Sequence, residues 1–135
     1  MRRIYWDSCI FIYRVQQVKP WCVTIDQHLR SIPAPARLVI TDLTRLECRV
    51  LPIRTGDDDL LERFDTTFAL PSCEQWPCDH TIFNLAIDLR ARHNLKTPDA
   101  LHLAAALVAR CDQFWTNDTR LNQAADGRIA IVTFD

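Results

Sequence analysis

The sequence predicts a single-domain α/β protein built on a mostly parallel sheet. Three observations predict it. Short β-branched or aromatic segments alternate with longer amphipathic ones from end to end, as in strands joined by helical crossovers. The composition, 48% hydrophobic and 24% charged, is that of a globular chain, not of a disordered, collagenous or disulfide-dense one. At about 150 residues per domain, the 135 residues leave room for one core, so one domain spans 1–135.

The elements follow in order. Arg2 to Trp6 reads as a strand that ends at Asp7-Ser8, and Cys9 to Tyr13 as the helix after it. A helix over Trp21 to Arg30 is closed by Pro33 and Pro35. Leu38 to Thr41 is a buried-type strand, and Thr41 or Asp42 can cap the helix from Leu43 to Leu51, which Pro52 ends or kinks. Asp57, Asp58 and Asp59 form an acidic first turn ahead of the stripe Leu60, Leu61, Phe64 and Phe68. Leu70 to Trp76 is a strand bracketed by prolines. Asp79 caps a long helix that Asn94 closes. Thr97 as cap, with Pro98 at the first position, opens a helix to Arg110 that is apolar on nearly every side and therefore central. Gln113 to Thr116 is a strand, Asp118 to Ala125 a short helix and Ile129 to Thr133 the last strand.

Composition excludes several functions. Sixteen basic against seventeen acidic residues give a net charge of -1, so no global field recruits nucleic acid or anionic lipid, and any such binding rests on local patches. The two glycines, Gly56 and Gly127, stand in no phosphate-cradling loop, which removes the nucleotide-binding versions of this architecture. No apolar run approaches the roughly 20 residues that span a bilayer, and Met1-Arg2-Arg3 leads directly into a strand, not into the apolar stretch of an export signal. The expectation is a soluble cytoplasmic protein without membrane contact, its six cysteines reduced. Cys73, Cys78, Asp79 and His80 lack the spacing of a zinc site.

Four acids carry the chemistry. In an open parallel sheet, ligands bind beyond the carboxyl ends of the strands, where Asp7 and Asp118 fall. Either alone is explained as a helix cap, and Asp99 as a first-turn acid. Glu47 is different. At 100° per residue, Leu46, Val50, Leu43, Glu47 and Leu51 lie at about 300°, 340°, 0°, 40° and 80°, which puts the carboxylate inside an apolar arc. There it needs an Arg partner, or a metal shared with the other acids. On that view Glu47→Gln keeps or raises stability. Carboxylate-only ligands suit Mg²⁺ or Mn²⁺. His102 reads as a core or hydrogen-bonding histidine, and Trp6 and Trp115 as core.

The stretches YWDS (5–8), TDLTRLECR (41–49), LKTPDALHLAAA (95–106) and FWTNDTRL (114–121) resemble the PIN-domain ribonucleases, most closely the VapC-type toxins of toxin-antitoxin pairs. The resemblance implies a five-stranded sheet of order 3-2-1-4-5 flanked by helices, and a catalytic, metal-binding quartet of Asp7, Glu47, Asp99 and Asp118. It also implies polar support from Ser8, Thr44 and Asn117, a Mg²⁺- or Mn²⁺-dependent hydrolysis of RNA, a homodimer and a cognate antitoxin. The antitoxin is expected in a groove beside the helices Leu43 to Leu51 and Asp57 to Phe68. Arg45, Arg49, Arg90 and Arg92 are candidate RNA contacts, although solvated helix faces explain them equally. Two alternatives stay open: another metal-dependent phosphohydrolase such as a DNA nuclease, and a non-catalytic interaction module.

Overall fold

The computed structural model describes residues 1–134. Its elements alternate as the pattern does: β1 (Arg2–Trp6), α1 (Ser8–Val15), α2 (Trp21–Ser31), β2 (Ala36–Thr41), α3 (Asp42–Thr55), α4 (Asp58–Phe68), β3 (Cys73–Trp76), α5 (His80–His93), α6 (Thr97–Val108), β4 (Gln113–Thr116), α7 (Leu121–Ala125) and β5 (Ala130–Thr133). The strands form one sheet of order β3-β2-β1-β4-β5. All four pairings are parallel, for example Tyr5 beside Val39 and Phe114, so the sheet is more uniform than expected.

Side chains along a strand alternate between faces, and this divides the core in two. Ile4, Trp6, Ile40 and Trp115 pack with Phe11 of α1, Ile25 of α2, Cys48 of α3 and Phe64 and Phe68 of α4. Tyr5, Val39 and Phe114 pack on the other side against α5, α6 and α7. The first layer is held by aromatic contacts: Trp6 lies 4.9 Å from Phe11 edge to face and 5.7 Å from Trp115 in a stack, each beyond simple area burial. Helix α6 runs with Ala100 to Ala106 all buried, as its uniformly apolar sequence requires.

Four local expectations are corrected. Helix α3 continues through Pro52 to Gly56, whose positive φ of 70° closes it, because Pro52 sits buried and its ring removes only one hydrogen bond. The third strand is only Cys73–Trp76, the residues before it being a turn. Lys96, not Thr97, caps α6, which moves Pro98 and Asp99 to its second and third positions. Helix α7 starts at Leu121, because the Asp118 carboxylate accepts from the Arg120 amide at 3.0 Å and makes a turn of residues 118–120.

The largest correction concerns surfaces. On α3 the buried residues are Thr44, Cys48 and Pro52, while Leu46, Val50, Leu51 and Ile53 face solvent. The stripe of α4 (Leu60, Phe64, Phe68) is core and unavailable to a partner. An open cleft of about 670 Å³ lies elsewhere, between α1, α2 and α4 over the start of β2, where Ile4, Trp6, Val15, Leu29, Leu38 and Leu70 are joined by the charged Arg14, Arg37, Asp59, Glu62 and Arg63. No helix among the described residues is long and apolar enough to cross a membrane.

Candidate functional site

The chain leaves β1 towards β2 on one side of the sheet, and reaches β4 on the other side of β1 only after β3. The strand order therefore reverses between β1 and β4, and a crevice opens beyond their carboxyl ends. Asp7 follows β1 and caps α1, its Oδ1 accepting from the Ser8 amide at 2.8 Å and its Oδ2 from the Thr116 hydroxyl at 2.9 Å. Its own amide donates to the Trp115 carbonyl at 2.9 Å, which ties the two strand ends together. Thr116 also accepts from the Asp118 amide at 3.1 Å, so one buried hydroxyl positions both aspartates.

Glu47 stands at the edge of the buried face of α3, its side chain 30% exposed. No Arg reaches it. Its Oε1 accepts from the Ser8 hydroxyl at 2.8 Å and bonds His102 Nε2 at 2.5 Å. Burial pushes the Glu47 carboxyl up, but the hydrogen bond and charge of His102, with Ser8, outweigh it and hold the group below its ordinary value. The expectation that Glu47→Gln preserves or raises stability is therefore reversed: the charge is satisfied by donors, not stranded on an apolar face.

Asp99, in the first turn of α6, is the unrelieved acid. Burial raises its carboxyl above the usual range, Asp7 and Asp118 raise it further, and His102 and Arg120 offset this only in part. That mutual repulsion places three acids from three elements in one crevice. Asp118 is held below its ordinary value by Arg120, which grips both carboxylate oxygens at 2.7–3.2 Å, with Lys96 adding positive charge.

An all-carboxylate donor set fits a hard divalent cation, and the repulsion on Asp99 is what such an ion would relieve. Among the described residues, no three His, Cys, Asp or Glu groups are gathered closely enough to hold an ion as the side chains stand. In this arrangement Arg120 holds Asp118, while Ser8 and His102 hold one oxygen of Glu47.

The expected supporting residues divide. Ser8 does contact the acids. Thr44 completes a capping box with Thr41 instead, and the Asn117 amide donates to the Tyr13 hydroxyl at 2.8 Å, tying the β4 turn to α1. Three of the four arginines are engaged within the chain: Arg49 with Asp65, Arg92 with Asp88, and Arg90 with the Leu95 carbonyl. Arg45 lines a shallow depression on α3. The sequence pattern did not point to Thr116, Lys96 or Arg120, nor to Glu47 as the partner of His102. Thr116 and Arg120 flank Asp118 at two residues, a spacing that offered a signal; the others meet only in three dimensions. Burial pushes the Cys9, Cys48 and Cys111 thiols up to about 12, which disfavours a thiolate at these three positions.

A parallel sheet with helices on both faces, and acids gathered at its switch point, defines the class. The PIN domain family matches residues 4–127, which include all four acids, and the chain belongs to that family. Its fold is shared with VapBC2 from Rickettsia felis (TM-score 0.75, 10% identity, 98% of this chain and 99% of that one). A toxin-antitoxin complex from Klebsiella pneumoniae aligns with a TM-score of 0.67, 22% identity and 96% of each chain. VapBC-5 from Mycobacterium tuberculosis, of the VapBC family of toxin-antitoxin systems, does so at 0.63 and 18%, over 99% and 100% of the two chains. No curated protein matches the sequence.

Proposed function

We propose that this chain is a Mg²⁺- or Mn²⁺-dependent ribonuclease of the cytoplasm, the toxin of a toxin-antitoxin pair, with Asp7, Glu47, Asp99 and Asp118 as its metal-binding and catalytic acids. The observation that carries the reading is Asp99, half-buried and repelled by Asp7 and Asp118 at the switch point of the sheet. Membership of the PIN family supports a nuclease, and the toxin-antitoxin complexes that share the fold support the biological role.

When bound, the metal supplies positive charge for the phosphodiester and acidifies a water. The chain's part is to hold the acids: Thr116 and the Ser8 amide fix Asp7, and the Ser8 hydroxyl and His102 fix Glu47. Arg120 and Lys96, the cations beside Asp118, are placed to meet RNA phosphate once Arg120 releases its carboxylate, and Arg45 is a further candidate on the surface of α3. Two further assignments complete the proposal. A second copy covers the exposed apolar face of α3 in a homodimer, and an antitoxin segment occupies the cleft between α2 and α4.

One observation favours a second reading. Glu47 and Asp118 already have protein partners, as they would in a non-catalytic module whose acids are structural. Incubating the purified chain with defined RNA and DNA, with and without Mg²⁺ or Mn²⁺, beside Asp7→Asn, separates the readings. The proposal expects RNA cleavage that requires metal and is lost in Asp7→Asn. Cleavage of DNA alone would favour the wider phosphohydrolase class, and no cleavage of either by folded protein the structural module.

A further inference from the structure

His102 is 1% exposed in the middle of the most buried helix, yet its ring bridges to the acidic crevice. A buried imidazole must satisfy both nitrogens. Its Nδ1 lies 2.6 Å from the Tyr5 hydroxyl, and its Nε2 2.5 Å from Glu47 Oε1. Tyr5 reaches it because alternation along β1 turns Tyr5 towards α6 while Ile4 and Trp6 face the other layer. The rings meet edge to face at 5.5 Å.

Complete burial pushes ionisation of the Tyr5 phenol far above its ordinary value, so it stays a hydroxyl that can donate one hydrogen bond and accept another. Its neighbours are Thr41 Oγ1 at 3.3 Å and His102 Nδ1 at 2.6 Å. The Glu47 carboxylate can only accept, so Nε2 carries the proton of its contact with Oε1. Oε1 thus carries two donors, Ser8 and His102, while Oε2 has no protein hydrogen bond among the described residues.

We propose that Tyr5 and His102 are positioning residues: Tyr5 holds the His102 ring from its Nδ1 side, and His102 with Ser8 pins one oxygen of Glu47 so that the other is kept for a divalent ion. This rests on the reading of Glu47 as a metal ligand. It predicts that ion affinity depends on two residues that never touch the ion, as outer partners of ligating groups do elsewhere.

The test reads ring protonation and Mn²⁺ affinity, not turnover. Nitrogen NMR of the His102 ring in the metal-free wild type is expected to show a proton on Nε2; an Nε2 without a proton would overturn its bond to Glu47. Mn²⁺ titrations followed by electron paramagnetic resonance compare wild type with Tyr5→Phe, His102→Leu, His102→Gln and Glu47→Gln. His102→Leu is expected to weaken binding by about 10–100-fold, and His102→Gln, which restores an N–H donor, to recover most of it. Tyr5→Phe is expected to fall between them. If Glu47→Gln loses Mn²⁺ while His102→Leu and Tyr5→Phe bind as wild type, positioning fails and the metal site stands. If Glu47→Gln binds as wild type, the metal reading itself fails. Should His102→Leu not fold, Tyr5→Phe and the wild-type ring spectrum decide.

Discussion

Glu47 and Asp99 are two carboxylates in one crevice whose pH behaviour has opposite sign. Glu47 is held below its ordinary value, so the folded state gains from its ionisation. That stability is present above the unfolded glutamate value and is lost as pH falls through the folded one. Glu47→Gln, which gives up charge-assisted bonds from His102 and Ser8 at a partly exposed site, is expected to cost about 1 kcal/mol at pH 7, a difference that closes in acid. Asp99 is raised by burial, Asp7 and Asp118, so its ionisation opposes folding. The native state binds the proton more tightly, and stability falls as pH rises from the unfolded aspartate value through the raised one. Asp99→Asn is therefore expected to raise the melting temperature of the metal-free protein at pH 7, with the gain vanishing at lower pH. Melting curves over a pH series check both, and parallel profiles for the two variants would mean that the carboxylates do not differ in environment. The sequence made the acids legible because Asp7 and Asp118 follow strands and Asp99 opens a helix. It hid the partner of Glu47, which comes from 55 residues along the chain.

At the scale of elements, α3 shows what periodicity can and cannot say. The arc of Leu43, Leu46, Val50 and Leu51 was legible, but a binary pattern does not reveal whether the chain's own core or another surface covers it. Here the core takes Thr44, Cys48 and Pro52, the smaller side chains that let α3 approach its neighbours, and Leu46, Val50, Leu51 and Ile53 remain outside. Leu46, Val50 and Ile53, spaced i, i+4 and i+7, share one exposed face, the kind of patch that marks an interface. The proposed homodimer predicts that light scattering gives twice the monomer mass for the wild type and the monomer mass for Leu46→Glu/Ile53→Glu. The double variant is expected to keep its fold by circular dichroism, since both positions are solvent-facing in the single chain. A monomeric wild type at micromolar concentration would leave the patch for a different protein. Of the groove expected to take an antitoxin beside α3 and α4, the apolar face of α3 is open, whereas the stripe of α4, as amphipathic as a docking surface, is already covered by the chain's own core.

For the whole molecule, topology does the gathering. Because β1 lies between β2 and β4, segments from three parts of the chain reach one crevice, and the alternation of strand and helix was enough to predict that crevice without predicting its contacts. What the sequence could not show is that the crevice carries internal cations, Arg120 on Asp118 and Lys96 nearby, that partly neutralise it. Metal binding is then a competition. A divalent ion that binds only the folded state stabilises it by mass action, by about 2.7 kcal/mol at a hundred times its dissociation constant, roughly 10 °C for a chain of this length. Mg²⁺ or Mn²⁺ is thus expected to raise the melting temperature in a concentration-dependent way, and Asp7→Asn to blunt the rise. Arg120→Ala, by freeing Asp118, is expected to shift the midpoint of the rise to lower ion concentration by several-fold, since it removes the competitor and leaves the acids in place. Thermal melts across an ion titration decide it. A melting temperature indifferent to both ions in the wild type and in Arg120→Ala would show that these carboxylates, although they repel one another, do not share an ion.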